Sequence, residues 1–232
     1  MLRLSTAFFG QRAFAFAILA RAAYSQGEKQ RDIALQKQAF ARNITMTEPL
    51  SEQKNISSLP SIPENGCITL IGMAGAGKTT VGRLVARSLD WAFVDCDHVI
   101  EAAFAASLQT VADAMTKEDF INVEAEIVGR LRLCRTVIAT GGSVVYRAST
   151  MEHLASLGPV IYLEAPMNVV LERIARNPDR GLAIAPGQTV EELFLEREAL
   201  YCRYASLVVS TAGVSPAESA RRALEEIARW YA

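Results

Sequence analysis

Lys78 and Thr79 stand near the end of Gly72-Met73-Ala74-Gly75-Ala76-Gly77-Lys78-Thr79-Thr80, where four residues separate Gly72 from Gly77. Glycine, four residues, glycine, lysine and a hydroxyl residue is the phosphate-loop spacing, and its chemistry is to hold a nucleoside triphosphate. With little side chain in the way, the N–H groups of Gly72, Ala74, Gly75, Ala76, Gly77 and on to Thr80 can turn inward around a polyphosphate. Lys78 would reach the outer phosphates, and the Thr79 hydroxyl would bind Mg²⁺. A second set is Asp95-Cys96-Asp97. One carboxylate there can hold Mg²⁺ through water, while its neighbour accepts the proton of an attacking hydroxyl. Asp97 also suits a helix N-cap ahead of Val99-Ile100; beside a phosphate loop the catalytic role is favoured. Arg173, Arg176 and Arg180 flank Asn177-Pro178-Asp179, with Gly181 and Pro186-Gly187 following. That basic, turn-rich composition fits a lid, and an arginine delivered by its closure would stabilise charge on a transferring phosphoryl group. Gly141-Gly142-Ser143 would let backbone approach a ligand closely. Arg197, in a charged helical stretch from 191 to 204, reads on its own as a surface ion pair.

The elements that must position these groups alternate between strand and helix. Cys67 to Ile71 is an apolar strand feeding the glycine loop, and the helix that follows puts Val81, Leu84, Val85 and Leu89 on one face. Further strands are expected at 92–94, 136–139, 160–163 and 207–209, with helices at 99–106 and 120–133. A last helix starts at Ser215-Pro216, with Glu218 at capping-box spacing. Strands separated by helices imply a three-layer α/β fold with a parallel sheet covered on both faces. Ligands of such sheets sit at the carboxyl ends of the strands, where Gly72, Asp95 and Gly141 all fall.

A chain of 232 residues, 50% apolar, can bury a sizeable core. Its net charge of −1 gives no general attraction to nucleic acid or to an acidic membrane surface. The 4 cysteines are scattered without a CxxC pair and the 2 histidines show no ligand spacing, which argues against a disulfide frame and against a Cys/His metal site. Residues 1–27 carry Arg3, Arg12 and Arg21 and no acidic residue, and their apolar run from Ala13 to Ala20 is too short to span a bilayer. They read as an organelle presequence or as an extension upstream of a working start at Met46; export ranks last, since it would part an ATP-using enzyme from its nucleotide. The expected organisation is an extension and linker over 1–65, then one domain over 66–232 with a lid at about 174–189. The expected setting is cytoplasmic, or an organelle if residues 1–45 are a presequence. The expected partner is a small molecule, with the chain working as a monomer and without nucleic acid or membrane.

From Gly72 to about Gly213 the chain resembles shikimate kinase, a phosphate-loop kinase of the nucleoside-monophosphate-kinase type. The resemblance rests on GMAGAGKTTVGRLVA, FVDCDHVIE, VIATGGS, VIYLE, DRGL and EREALY. It implies a five-stranded parallel sheet of order 2-3-1-4-5, a lid, and ATP with Mg²⁺. The γ-phosphoryl group would pass to a hydroxyl of a small metabolite, giving shikimate 3-phosphate from shikimate. It also implies roles: Lys78 and Thr79 on phosphate and magnesium, Asp95 on the metal side, and Asp97 on the accepting hydroxyl. Gly141 and Gly142 would lie beside the substrate, Arg180 would reach ATP from the lid, Arg173 would pack on adenine, and Arg197 would grip the substrate carboxylate. Two departures touch the acceptor half. Ile121 stands where the family has an arginine in Phe-Arg-x-x-Glu, a loss of about 1.5–3 kcal/mol of charge-assisted binding, and Ser143 stands where a third glycine is usual. Glu124, without that arginine, could receive an ammonium group, so homoserine or another small hydroxy acid is the alternative acceptor. A catalytically silent relative is a third reading, opposed by the presence of Lys78, Asp95, Asp97 and Arg180.

Overall fold

Every residue of strand β1, Cys67–Ile71, is buried, which is why its sequence is apolar at all positions but Thr69 rather than an alternation. It lies at the middle of a sheet, paired in parallel with β3, Thr136–Ala139, on one side and with β4, Val160–Glu164, on the other. Strand β2, Ala92–Asp95, adds to β3, and β5, Leu207–Ser210, adds to β4, both parallel. The order is β2-β3-β1-β4-β5, as the resemblance implied. The edge strands are correspondingly more exposed, with Val208 at 52%. The computed structural model describes residues 62–63, 65–176 and 181–232. The N-terminal extension, nearly all of the linker and Arg180 lie outside the described residues.

Helix α1, Lys78–Leu89, follows β1 directly and buries Val81, Gly82, Val85 and Ala86; Leu84 and Leu89, expected on the same face, pack partly buried against the core. Helix α8, Pro216–Trp230, lies against α1. Its N-cap is Ser215, which accepts from Glu218 N at 3.2 Å. The return half of the expected capping box is replaced, since Glu218 pairs with Arg221 and Arg222. A complete box forms instead at the start of α7, Val190–Tyr204, between Thr189 and Glu192.

Between β2 and β3 run α2, Cys96–Phe104, α3, Leu108–Asp113, and α4, Lys117–Gly129. The helices expected at 99–106 and 120–133 thus begin three residues earlier, because Asp95 and Thr116 accept from N–H groups of the first turn and fix the starts there. Helix α2 ends at Ala105, whose φ of 52° is left-handed. Beyond β3 come α5, Ala148–Leu157, and α6, Met167–Ala175. The main core fills the space between sheet and helices, and a smaller cluster of Ile100, Leu108, Val111, Phe120 and Ala183 sits under α2, α3 and α4.

Gly158 joins α5 to β4 at φ 151°, and a Cβ there would lie 2.0 Å from the Cys67 carbonyl oxygen of the central strand. Because the clash is with backbone, no rotamer change can relieve it. Gly158→Ala is expected to cost at least about 2 kcal/mol of stability, read as a lower melting temperature and urea midpoint.

Candidate active site

The carboxyl ends of β1, β2 and β3 open on a cleft of about 560 Å³. At one end the loop after β1 turns through Gly72, Gly75 and Gly77 at positive φ and delivers Lys78 as the first residue of α1. Helix α1 starts with no side-chain cap and no acidic residue in its first turn, so its orphan N–H groups and positive dipole end are left for an anion. Lys78 is buried, and its Nζ donates to the carbonyls of Gly72 at 2.7 Å and Met73 at 3.0 Å. Burial lowers its pKa to about 8, against the opposing pull of Asp97 and Asp95. Ala74 to Thr80 line the cleft, as does Arg173, whose guanidinium donates to the Gly75 carbonyl at 2.6 Å.

The two aspartates divide their work differently from what the N-cap reading of Asp97 suggested. Asp95 is the cap: its Oδ1 accepts from Asp97 N at 3.2 Å, while its Oδ2 accepts from the Thr79 hydroxyl at 2.7 Å. Asp95 therefore ties the end of β2 to the start of α1. Asp97 is freed to face the cleft, and burial raises its carboxyl above the usual range. Gly72 and Asp95 stand just behind the lining; the other described residues proposed for the site lie on it.

At the far end, Gly141 and Gly142 form a floor on which the Glu124, Asp97 and Arg197 side chains come close to the backbone. A Cβ on Gly141 would lie 2.1 Å from Glu124 Oε1 and 2.9 Å from Asp97 Oδ1, and one on Gly142 would lie 2.8 Å from an Arg197 nitrogen. Arg197 is no surface residue: it is 1% exposed, donates to the Ala183 carbonyl at 2.8 Å and to the Tyr146 hydroxyl at 3.2 Å. Four residues on, Tyr201 stacks on Tyr162 with centroids 5.2 Å apart and donates to the Gly142 carbonyl at 2.7 Å. Glu124, also 1% exposed, accepts from the Ser143 hydroxyl through Oε2, and Oε1 has no hydrogen-bond partner among the described residues. Burial pushes its carboxyl up to about 7, with the Asp97 charge adding to the rise. Ile121 is buried in a separate depression beside Lys117, Tyr146 and Glu196 and contributes nothing polar to the cleft.

Sequence reasoning missed Tyr146, Tyr201 and the Ser143–Glu124 bond. The spacing of Tyr201 from Arg197, one helical turn, was the available signal; Tyr146 gave none. Arg180 lies outside the described residues. Gly181 lines the cleft and donates to the Gln109 side chain at 2.7 Å.

A model of the shikimate kinase family matches residues 74–228. The chain belongs to the shikimate kinase family. It is 36% identical over 165 residues to a shikimate kinase of Thermodesulfovibrio yellowstonii, covering 70% of this chain and 95% of that one. It is 39% identical over 158 residues to the enzyme of Methylococcus capsulatus, covering 67% and 88%. Among solved structures it is similar to the shikimate kinase of Acinetobacter baumannii in complex with shikimate, with a TM-score of 0.65, 32% identity, and 70% of this chain and 92% of that one covered. Membership makes the chain a phosphotransferase and implies dependence on ATP and Mg²⁺. The residues fit both: the uncapped start of α1 suits phosphate, and Thr79 with Asp95 supplies the one or two oxygen ligands Mg²⁺ takes from protein when phosphate and water complete its shell. Among the described residues no group of three or more His, Cys, Asp or Glu is placed to hold a metal by itself.

The folded state holds the Glu124 proton from an ordinary 4.5 up to about 7, whereas the unfolded chain releases it earlier. Stability of the ligand-free protein is therefore expected to fall as pH rises across that window. Glu124→Gln keeps an acceptor for Ser143 and removes the titration. The variant should match the parent near pH 5 and exceed it by about 2–3 kcal/mol at pH 8, measured by denaturant unfolding at both pH values.

Proposed function

We propose that the chain transfers the γ-phosphoryl group of ATP to a hydroxyl of shikimate, yielding ADP and shikimate 3-phosphate. The observation carrying this reading is that one cleft holds both halves of the reaction. Lys78 and the Thr79–Asp95 pair lie at the phosphate end, and Asp97 and Arg197 lie over the Gly141–Gly142 floor. ATP would supply the phosphoryl group, and Mg²⁺, when bound, would offset charge developing on it. Lys78 would exchange the carbonyls of its own loop for phosphate oxygens, and the buried setting would strengthen that pairing. Thr79 and Asp95 would hold Mg²⁺. Asp97 would orient the acceptor hydroxyl and take its proton as the new bond forms. Arg197, held from behind by Tyr146 and the Ala183 carbonyl, would fix the carboxylate of shikimate. Arg173 would pack on adenine, and Arg180 would arrive with a lid over about 174–189. A monomer working in the cytoplasm fits this reading, with an organelle as the alternative if residues 1–45 are a presequence. The four cysteines, all free, suit a reducing compartment, and among the described residues no helix is long and apolar enough to cross a membrane.

Asp97→Asn should lower kcat with shikimate by about 10²–10⁴-fold while leaving ATP binding within a few-fold, as measured by coupled ADP release and by nucleotide titration. Shikimate turnover should also vanish on chelation of Mg²⁺ and return on its re-addition. Arg197→Ala should act chiefly on shikimate KM, raising it by about 10–150-fold, the equivalent of about 1.5–3 kcal/mol for a lost charge-assisted bond.

A further inference from the structure

The acceptor end of the cleft holds one polar atom that its surroundings do not satisfy. Glu124 Oε1 is buried and, among the described residues, has no hydrogen-bond partner. The nearby cations are engaged elsewhere: Lys78 with the Gly72 and Met73 carbonyls, Arg197 with the Ala183 carbonyl and the Tyr146 hydroxyl. What Glu124 does receive is a neutral hydroxyl from Ser143, on its other oxygen. Ile121, on the same helix, brings no charge. A buried carboxylate oxygen left without a donor is costly, so the missing donor is one that a ligand can bring.

The position of that oxygen says what kind of ligand. Glu124 Oε1 and Asp97 Oδ1 crowd the same point above Gly141, and the Arg197 guanidinium stands above the next residue, Gly142. Guanidinium, carboxylate and second carboxylate are thus presented across two consecutive peptide units. A ligand with a carboxylate and an ammonium on one carbon and a hydroxyl a short chain away would meet all three. An acceptor whose only charge is a carboxylate would pair with Arg197 and bring no cation to Glu124 Oε1. A zwitterion adds no net charge.

We propose that this site also phosphorylates small hydroxy-α-amino acids, with Glu124 receiving the ammonium group, Arg197 the carboxylate and Asp97 the hydroxyl. The proposal rests on the reading of Asp97 as partner of the accepting hydroxyl. In the transfer, the hydroxyl oxygen of the amino acid forms a bond to the γ-phosphorus of ATP as the bond from that phosphorus to the bridging oxygen breaks. ADP leaves with the electron pair of the broken bond, and the hydroxyl proton passes to the Asp97 carboxylate. The product is the phosphate monoester of the amino acid.

The test gives the full chain MgATP with L-homoserine, with 4-hydroxybutyrate (the same molecule without its ammonium group) and with shikimate, following ADP release and phosphomonoester formation. Homoserine is expected to turn over with a kcat/KM about 100-fold or more above that of 4-hydroxybutyrate, and Glu124→Gln is expected to bring that ratio close to one. Turnover of shikimate with none of homoserine overturns this inference and leaves the proposed function standing. Turnover of homoserine without shikimate sustains the inference and overturns shikimate as the acceptor. Homoserine no better than 4-hydroxybutyrate removes the role of Glu124, and no turnover with any acceptor overturns both readings. Should Glu124→Gln fail to fold, the comparison of the two acceptors on the unaltered chain decides by itself.

Discussion

Among the described residues, four chargeable groups are shut away from water at one edge of a parallel sheet: Lys78 at 9% exposure, Asp95 at 8%, and Glu124 and Arg197 at 1% each. Removing such groups from water costs several kcal/mol apiece unless hydrogen bonds replace the lost hydration, and the architecture around the cleft is arranged to supply them. Loop carbonyls receive Lys78, the Ala183 carbonyl and Tyr146 receive Arg197, and Ser143 serves one oxygen of Glu124. Gly141 and Gly142 lack side chains because the carboxylate and guanidinium occupy the space a Cβ would need. Tyr201 then anchors the Gly142 carbonyl and packs on Tyr162 of β4, so the floor of the site is fastened to the sheet itself.

The sheet order follows from the same need. With β1 in the centre, β3 and β4 flank it, and the glycine loop after β1 emerges between the ends of its neighbours. That puts the start of α1 beside the end of β2, close enough for the Thr79–Asp95 bond. Asp95 does two things at once: one oxygen accepts from Thr79 and the other caps α2 through Asp97 N, while Asp97 itself lines the cleft. A side chain that caps a helix is held by that helix, so giving the cap to Asp95 leaves Asp97 to move against a ligand.

The sequence was most legible where chemistry is local. The glycine loop, the central strands and the parallel order could be read because Gly72 to Thr80 and the apolar runs at 67–71, 136–139 and 160–163 carry their signal in consecutive residues. The apolar period points to helix starts at 99 and 120, three residues inside the true ones at 96 and 117, because capping by Asp95 and Thr116 recruits polar residues that break that period. Arg197 illustrates the harder case. Nothing within its own charged helix distinguishes it from a surface residue, since what buries it comes from Ala183 and Tyr146, neither within a helical turn of it. Tyr146 left no trace in sequence for the same reason: its partners Arg197 and Lys117 meet it through space, one as a hydrogen-bond donor and both over its ring.

Ile121 and Ser143 looked like two unrelated departures in sequence, but they meet at Glu124. One removes a charged donor from the helix that carries Glu124, and the other adds a neutral donor on the facing turn. The neutral bond reaches one oxygen and leaves the other bare, so the exchange does not restore the charge balance; it holds Glu124 in place while its unmet half faces the cleft. A carboxyl in that position sits near the midpoint of its titration at neutral pH, and small changes in what lies beside it decide whether it is a donor or an anion. A neutral hydroxyl can be met by either form, whereas an ammonium group is met by the anion alone. At the phosphate end each group has a partner: Lys78 the Gly72 and Met73 carbonyls, and Thr79 and Asp95 each other. In this chain the two departures from the family pattern both lie beside Glu124, and Lys78, Thr79 and Asp95 keep their bonds at the other end of the cleft.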